Sequence, residues 1–480
     1  MRTNLTLLTD FYEITMAHGY FDQGIADKIA YFDLYFRRIP DGGGFAIMAG
    51  LEQVVNYLEN LSFTKEDIDF LRSKECFSEE FLNYLANFRF ECDVWAVEEG
   101  TPVFPNEPLI IVKGPILQAQ FIETMLLLTI NHQSLIATKS NRIVRAADGR
   151  TVLEFGSRRA QGYDGAYYGA RAAYIGGCVG TACTIAERDL GIPAVGTMAH
   201  SWVQVFPDEY SAFCAYAAVY PDDCLLLVDT YNVLKSGVPN AIRVHNDVLV
   251  PMGKRLKGIR IDSGDITYLS KKARKMLDEA GLADCKIIAS NSLDEYIIRE
   301  ALMHGAQIDS FGVGERLITS RSEPVFGGVY KLVALESGNR IVPKIKLSEN
   351  VSKITNPGFK NLYRLFAKDE SPIADVITLH DEVIDDTKPY TIFHPEYTWK
   401  KTTLTDFKAE PLLKRIFDKG KCVYKLPSLK EIQERCRRQV DSLWDEIKRF
   451  ENPHEYYVDL SLPLWNIKQK LLGSYVDENN

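Results

Sequence analysis

From Thr151 to Gly314 the chain repeats one pattern: a short apolar run, a small polar or charged residue, then a stretch of helical periodicity. The apolar runs are TVLEFG (151–156), IPAVGT (192–197), CLLLVDT (224–230), GIRID (258–262), KIIAS (286–290) and DSFGVG (309–314). Continuous apolar runs this short, bounded by turn residues, predict buried strands. The segments between them carry helix chemistry. Ile266, Leu269, Ala273, Met276, Leu277 and Ala280 mark one face, and Gly281 sits where a C-cap belongs. Ser292-Leu293-Asp294-Glu295 fits a capping box, followed by Ile297, Ile298, Ala301, Leu302 and a stop at Gly305. Strands alternating with helices predict parallel βα units.

An open doubly wound sheet would gather its ligand at one switch point, whereas a barrel collects the C-terminal ends of all its strands around one site. Here six strand ends carry chemically useful groups: Glu154/Ser157/Arg158, Thr197/His200, Asp229/Asn232, Asp262/Ser263, Ser290/Asn291 and Gly312/Gly314. That favours an α/β barrel, made irregular by having only six clear strands. On either side the pattern changes. Ala30 to Phe36 alternates and predicts a strand, and Leu51 to Leu61 predicts a helix. Ala374 to Leu379 and Tyr390 to His394 are strand-like, and Ser428 to Phe450 reads as one charged helix with Ile432, Val440, Leu443, Trp444 and Ile447 on a face. The expected organisation is an N-terminal α+β domain over 1–135, open to completion by later strands, a barrel over 136–350 and a C-terminal extension over 351–480.

Composition narrows the classes. The 480 residues are 46% apolar and 25% charged, and 56 basic against 65 acidic side chains leave a net charge of −9. Disorder, collagen and coiled coil are excluded. An acidic balance gives no bulk attraction for nucleic acid or anionic lipid, so positive charge for any anionic ligand must be gathered locally. The nine cysteines are scattered and form no Cys-x-x-Cys, as expected of reduced thiols in a cytoplasmic protein. Cys178 and Cys183, the closest pair, fall in a small-residue stretch that reads as helical. No signal peptide is read at the N-terminus, and the apolar stretch Met125 to Ile130 is far short of a membrane span.

GIRIDSGD (258–265) is the most specific local feature. A strand ends in Arg260 and Asp262, and a Ser263-Gly264 turn enters a helix. A carboxylate there can accept hydrogen bonds from ribose hydroxyls, while Ser263 and Gly264 expose backbone donors; an ordinary βα turn with Asp as a cap would look the same. FGVGER (311–316) offers Gly312 and Gly314 for close approach of a phosphate to backbone N–H groups. It lacks the third glycine of a dinucleotide fingerprint and the Gly-Lys-Ser/Thr ending of a P-loop. EFGSRR (154–159) places Phe155 beside arginines whose planar forks suit carboxylate or phosphate. GTMAHSW (196–202) leaves the His200 imidazole among small neighbours. Asp10 and Glu13 have capping-box spacing around Tyr12. Two or three arginines, phosphate-type glycine turns and a ribose-type carboxylate describe a site for a sugar phosphate.

In order, TDFYEITM, EFGSRRAQG, GTMAHSW, GIRIDSGD, SNSLDEY, FGVG and GGVYKLV resemble the motifs of nicotinate phosphoribosyltransferases, from near residue 5 to about residue 400, with a tail like that of the bacterial branch. The resemblance implies the type II phosphoribosyltransferase fold, an N-terminal α+β domain on an irregular, TIM-like α/β barrel. It implies that nicotinate is joined to 5-phosphoribosyl 1-diphosphate, giving nicotinate mononucleotide and pyrophosphate in NAD salvage. It implies that ATP hydrolysis is coupled through a phosphohistidine, a role that falls on His200 in its Gly-Thr-x-x-His motif. Mg²⁺ is expected on pyrophosphate oxygens, with no protein metal site. A homodimer is expected, with shared active sites to which the partner contributes Asp10 and Tyr12. Phe155 and Tyr12 are expected to sandwich the pyridine ring, Arg260 to pair with its carboxylate, and Asp262 to hold ribose hydroxyls. Arg158, Thr197, Ser263, Gly264 and Asn291 are further substrate candidates; Gly312, Gly314 and Thr319 are those for the 5′-phosphate. Arg38, Lys139 and Arg142 are candidates for pyrophosphate.

The nearest alternative is a nicotinamide phosphoribosyltransferase on the same fold; the Gly-Ser-Arg-Arg run at 156–159 favours the acid, since a neutral amide gains less from arginine. A quinolinate enzyme would be shorter and lack this motif order. A sugar-phosphate-binding barrel without catalysis would be expected to have lost Arg260, Asp262 or His200, and all three are present.

Overall fold

The computed structural model describes residues 4–348 and 353–477. The expected boundary at 350–351 therefore lies outside the described residues. The chain divides into two compact units, Met1–Leu135 with Val325–Asn480, and Ile136–Pro324.

The first unit is built on a seven-stranded sheet in the order Arg340–Pro343, Gly328–Ser337, Ile29–Phe36, Ile110–Pro115, Asp93–Val97, Leu413–Asp418, Lys421–Cys422. All neighbours are antiparallel. Alternation in Ile29–Phe36 gives the strand, but both of its faces are covered, so every residue after Ile29 is buried. Asp33 lies on that strand, and its charge is balanced by Lys360 Nζ at 2.9 Å. A carboxylate taken out of water needs such a partner. A second sheet orders Lys408–Pro411, Lys360–Phe366, Pro372–Leu379 and Val458–Leu460. The helix over Leu51–Glu59 and the strands Pro372–Leu379 and Tyr390–Phe393 stand where the periodicity puts them. The helix expected over 428–450 is shorter than its apolar face suggests. It spans Leu429–Asp441, opened by a reciprocal Ser428/Glu431 capping box. At its end Leu443 N–H turns back to Val440 O, three residues rather than four, and the chain leaves the helical path.

The second unit is an irregular α/β barrel. Its parallel strands run in the order Thr151–Glu154, Ser310–Val313, Lys286–Ser290, Gly258–Ile261, Leu225–Leu227. The sixth expected strand, 192–197, does not form. Only Ala194 joins, through a single bridge to Thr181, which itself bridges Glu154. Pro193 explains part of this, since it has no N–H for a ladder and serves only as an acceptor, for Thr181 N–H at 3.0 Å. Cys178 and Cys183 are not helical either: the helix Gly162–Ile175 ends before one, and the other precedes Thr184–Leu190. All nine cysteines are free thiols. Helix Ile266–Glu279 follows its predicted face, and Gly281 takes the left-handed φ of +75° just past it.

Candidate active site

The C-terminal ends of the barrel strands collect the groups. Strand Gly258–Ile261 directs Arg260 so that Nη1 donates to Thr197 Oγ1 at 3.2 Å and Nη2 to Met198 O at 2.9 Å. The guanidinium thus braces the segment just before His200. Its Nε is buried and meets no partner among the described residues. Burial pulls the Arg260 pKa down, opposed by Asp262 and Asp229.

Asp262 follows that strand. One oxygen accepts from Ser290 Oγ at 2.5 Å, and the other lies 3.9 Å from His200 Nε2. His200 Nδ1 meets Thr230 Oγ1 at 3.1 Å. The imidazole is thereby held from one side, with its second nitrogen facing a carboxylate, and the side chain is 41% exposed. Asp229, at the end of Leu225–Leu227, orders the next turn: its Oδ2 accepts Asp262 N–H at 3.1 Å and Ser263 Oγ–H at 2.6 Å. Asp229 Oδ1 is buried and has no partner among the described residues. Gly264 has φ of +80°, which lets the turn enter helix Ile266–Glu279, and the cap is Asp265 rather than Asp262.

After Thr151–Glu154 come the half-buried Phe155 and the turn Ser157–Arg159, with Arg158 exposed. After Lys286–Ser290, Asn291 and Ser292 both take positive φ, +89° and +41°. Two successive residues in that region are costly and concentrate at ligand clamps. They also displace the predicted capping box: helix Glu295–Met303 starts one residue pair later, with the Asp294 carboxylate accepting from Tyr296 and Ile297 N–H. Arg316, just after Gly314, donates to that same Asp294 and braces the glycine turn. Thr319 Oγ1 donates to Glu315 O at 2.8 Å.

Two further candidates of the barrel unit have other partners. Lys139 and Arg142 are 2% and 3% exposed and converge on the buried Glu295 at 2.8 and 2.9 Å. Among the described residues of the first unit, Asp10 precedes the helix Phe11–Asp22 but makes no side-chain cap. Glu13 is not a capping partner: it is buried and accepts from Gln120 Nε2 at 3.0 Å. Tyr12 is 45% exposed, and Arg38 is exposed after strand Ile29–Phe36. Glu154, Asp229 and Ser290 were legible only as polar strand ends, and Thr230 and Arg316 carried no signal of a role, because their importance lies in which side chain they touch.

No helix among the described residues is long and apolar enough to cross a membrane. Family models match along most of the chain: the nicotinate phosphoribosyltransferase N-terminal domain over 7–131, the nicotinate phosphoribosyltransferase family over 151–348 and its C-terminal domain over 359–468. The chain is 45% identical to the nicotinate phosphoribosyltransferase of Bacillus subtilis over 470 residues, covering 97% of this chain and 95% of that one. It is 33% identical to the human nicotinate phosphoribosyltransferase over 512 residues, with 95% and 94% covered. The crystal structure of human nicotinic acid phosphoribosyltransferase superposes with a TM-score of 0.85 at 31% identity, covering 97% of this chain and all of that one.

Proposed function

The chain belongs to the nicotinate phosphoribosyltransferase family, and from that premise we propose how its own residues carry the reaction. It joins nicotinate to 5-phosphoribosyl 1-diphosphate, giving nicotinate mononucleotide and pyrophosphate, a step of NAD salvage.

The observation that carries the assignment is the convergence of Arg260, Asp262 and His200 at one end of strand Gly258–Ile261. The pyridine nitrogen forms a bond to ribose C1 as pyrophosphate leaves, through an oxocarbenium-like ribose. Catalysis of that kind rests on placement and on charge stabilisation. Asp262, with one oxygen fixed by Ser290, presents the other to ribose hydroxyls and to the positive charge that grows at C1. Arg260, Arg158 and Thr197 hold the nicotinate carboxylate, and Phe155 stacks on its ring. Tyr12 covers the other face, with Asp10 beside it, contributed by a second copy in a homodimer. Ser263, Gly264 and Asn291 bound the ribose. Gly312, Gly314 and Thr319 seat the 5′-phosphate, with Arg316 bracing their turn. Arg38 supplies a further cation for the pyrophosphate. Lys139 and Arg142 are the remaining candidates for it, their ammonium and guanidinium groups being paired with Glu295.

Mg²⁺ would enter with the diphosphate, and Asp229, whose Oδ1 is buried with no partner among the described residues, would hold its water shell. When bound it neutralises charge on the leaving group. ATP is a coupling substrate. In the tautomer whose Nδ1–H donates to Thr230 Oγ1, Nε2 carries the lone pair and accepts the γ-phosphoryl group as ADP departs. The phosphohistidine brings a dianion within reach of Asp262 and reorders the ribose side of the site, and its hydrolysis resets it. The enzyme acts in the cytoplasm.

The test is direct. Protein is incubated with 5-phosphoribosyl 1-diphosphate, Mg²⁺ and either nicotinate or nicotinamide, with and without ATP, and mononucleotide and ADP are measured. Product from nicotinate, with ADP formed alongside, is expected. Product from nicotinamide alone overturns the acid assignment, and none from either leaves a binding protein.

A further inference from the structure

Glu154 ends the strand Thr151–Glu154 and is fully buried. Among the described residues its partners are a hydroxyl and a backbone amide, not a cation: Thr181 Oγ1 donates to one oxygen at 2.6 Å, and Gly156 N–H donates to the other. Burial pushes its pKa up, and the same two hydrogen bonds work against that push. A buried carboxylate without a cation is costly, and an apolar side chain would fill the same space at less cost. The carboxylate therefore has to be explained by what it holds.

It holds two segments that lack a regular ladder. On one side, Gly156 N–H opens the turn that carries Phe155 and Arg158, and Gly156 O then accepts Arg159 N–H at 2.7 Å. Gly156 packs closely on its neighbour, with no room for a side chain: a Cβ there would fall 2.6 Å from Ile318 Cβ. On the other side, Thr181 lies where the barrel is reduced to single bridges. Its main chain accepts from Val195 N–H at 2.8 Å, two residues before Thr197 and five before His200. The Thr181 hydroxyl also accepts Cys183 N–H at 3.0 Å.

We propose that Glu154 is a positioning residue for the pyridine-carboxylate substrate: its carboxylate fixes the Phe155–Arg158 turn through Gly156 and ties that turn, through Thr181, to the segment leading to Thr197 and His200. This rests on the reading that Phe155 and Arg158 meet nicotinate. It makes the side chain's acceptor at Gly156 essential and its negative charge secondary. A glutamine keeps the acceptor and can donate its amide to the Thr181 oxygen, whose hydroxyl then turns away.

The test compares wild type with Glu154→Gln, Glu154→Ala, Thr181→Val and Arg158→Ala. The Michaelis constants for nicotinate and for the phosphoribosyl donor, kcat and the thermal midpoint are measured for each. Glu154→Ala and Thr181→Val are expected to raise the nicotinate KM about tenfold, with the donor's KM within about twofold, while Glu154→Gln stays within about threefold of wild type. If both KM values move together, or Gln is no better than Ala, Glu154 is only structural. If Arg158→Ala leaves the nicotinate KM unchanged, the placement of nicotinate on this turn fails instead, whatever Glu154 does. Should Glu154→Ala not fold, Thr181→Val, which leaves the glutamate in place and removes one donor of nearly equal volume, decides alone.

Discussion

The Phe155 ring lies on the backbone of Gly312: a Cβ at Gly312 would fall 2.4 Å from Phe155 Cδ2 and 2.5 Å from Cε2. Gly312 lies on the strand Ser310–Val313 and Phe155 just past its parallel neighbour Thr151–Glu154, whose register pairs Val313 with Glu154. A phosphate seat and an aromatic neighbour both call for glycine here, and the ring already occupies the space.

Gly312→Ala is therefore expected to tilt Phe155 rather than merely narrow a phosphate seat. Overpacking of this kind costs about 1–3 kcal/mol. Displacing a substrate-facing ring by about 1 Å is expected to raise the nicotinate KM about tenfold or more. Steady-state kinetics with each substrate varied in turn checks this. A change confined to the phosphoribosyl donor, with nicotinate unaffected, would return the glycine to the phosphate.

Arg260→Lys tests the fork. A lysine keeps the charge but cannot reach Thr197 Oγ1 and Met198 O together as the guanidinium does. Losing that double contact is expected to lower kcat/KM for nicotinate about 100-fold with little change in thermal midpoint. Retention of near wild-type kcat/KM would show that charge alone suffices.

Thr230→Val removes the hydroxyl that meets His200 Nδ1 at 3.1 Å. The imidazole is then free to turn. ADP formation is expected to fall about tenfold while ATP-independent mononucleotide synthesis stays within about twofold. Equal losses in both would detach Thr230 from the phosphoryl step.

Glu13 supplies a pH dependence of stability. Its carboxyl is raised to about 7, chiefly by burial, with the Gln120 hydrogen bond opposing and the Glu123 and Asp10 charges adding to the rise. A raised carboxyl means the folded chain keeps a proton that the unfolded chain gives up. Stability from this group is full below about pH 4.5 and is lost as pH rises to about 7. The size is about 3 kcal/mol. Glu13→Gln is expected to flatten that part of the urea midpoint between pH 5 and 8, gaining most at pH 8. Parallel curves for the two proteins would refute it.

Two departures from the periodicity, at 192–197 and at the end of the helix Leu429–Asp441, show where spacing stops being enough. Apolar spacing continues through Leu443 and Ile447, both buried, yet the backbone has already turned after Asp441. Side-chain spacing reports which residues seek the core, and more than one backbone path can deliver them. The run IPAVGT has strand composition, but its proline can offer the neighbouring segment only an acceptor.

By itself the sequence determined the alternation of strands and helices, the polar groups at the strand ends and the set of motifs, because periodicity and turn chemistry are local. Only the tertiary structure decided partners. It gave the Arg260 fork to Thr197 and Met198, Asp229 to the Ser263 turn, Glu154 to Gly156 and Thr181, and Lys139 with Arg142 to Glu295. A buried charge or donor must be answered by some group, and no spacing along the chain says which distant residue folding will bring to it.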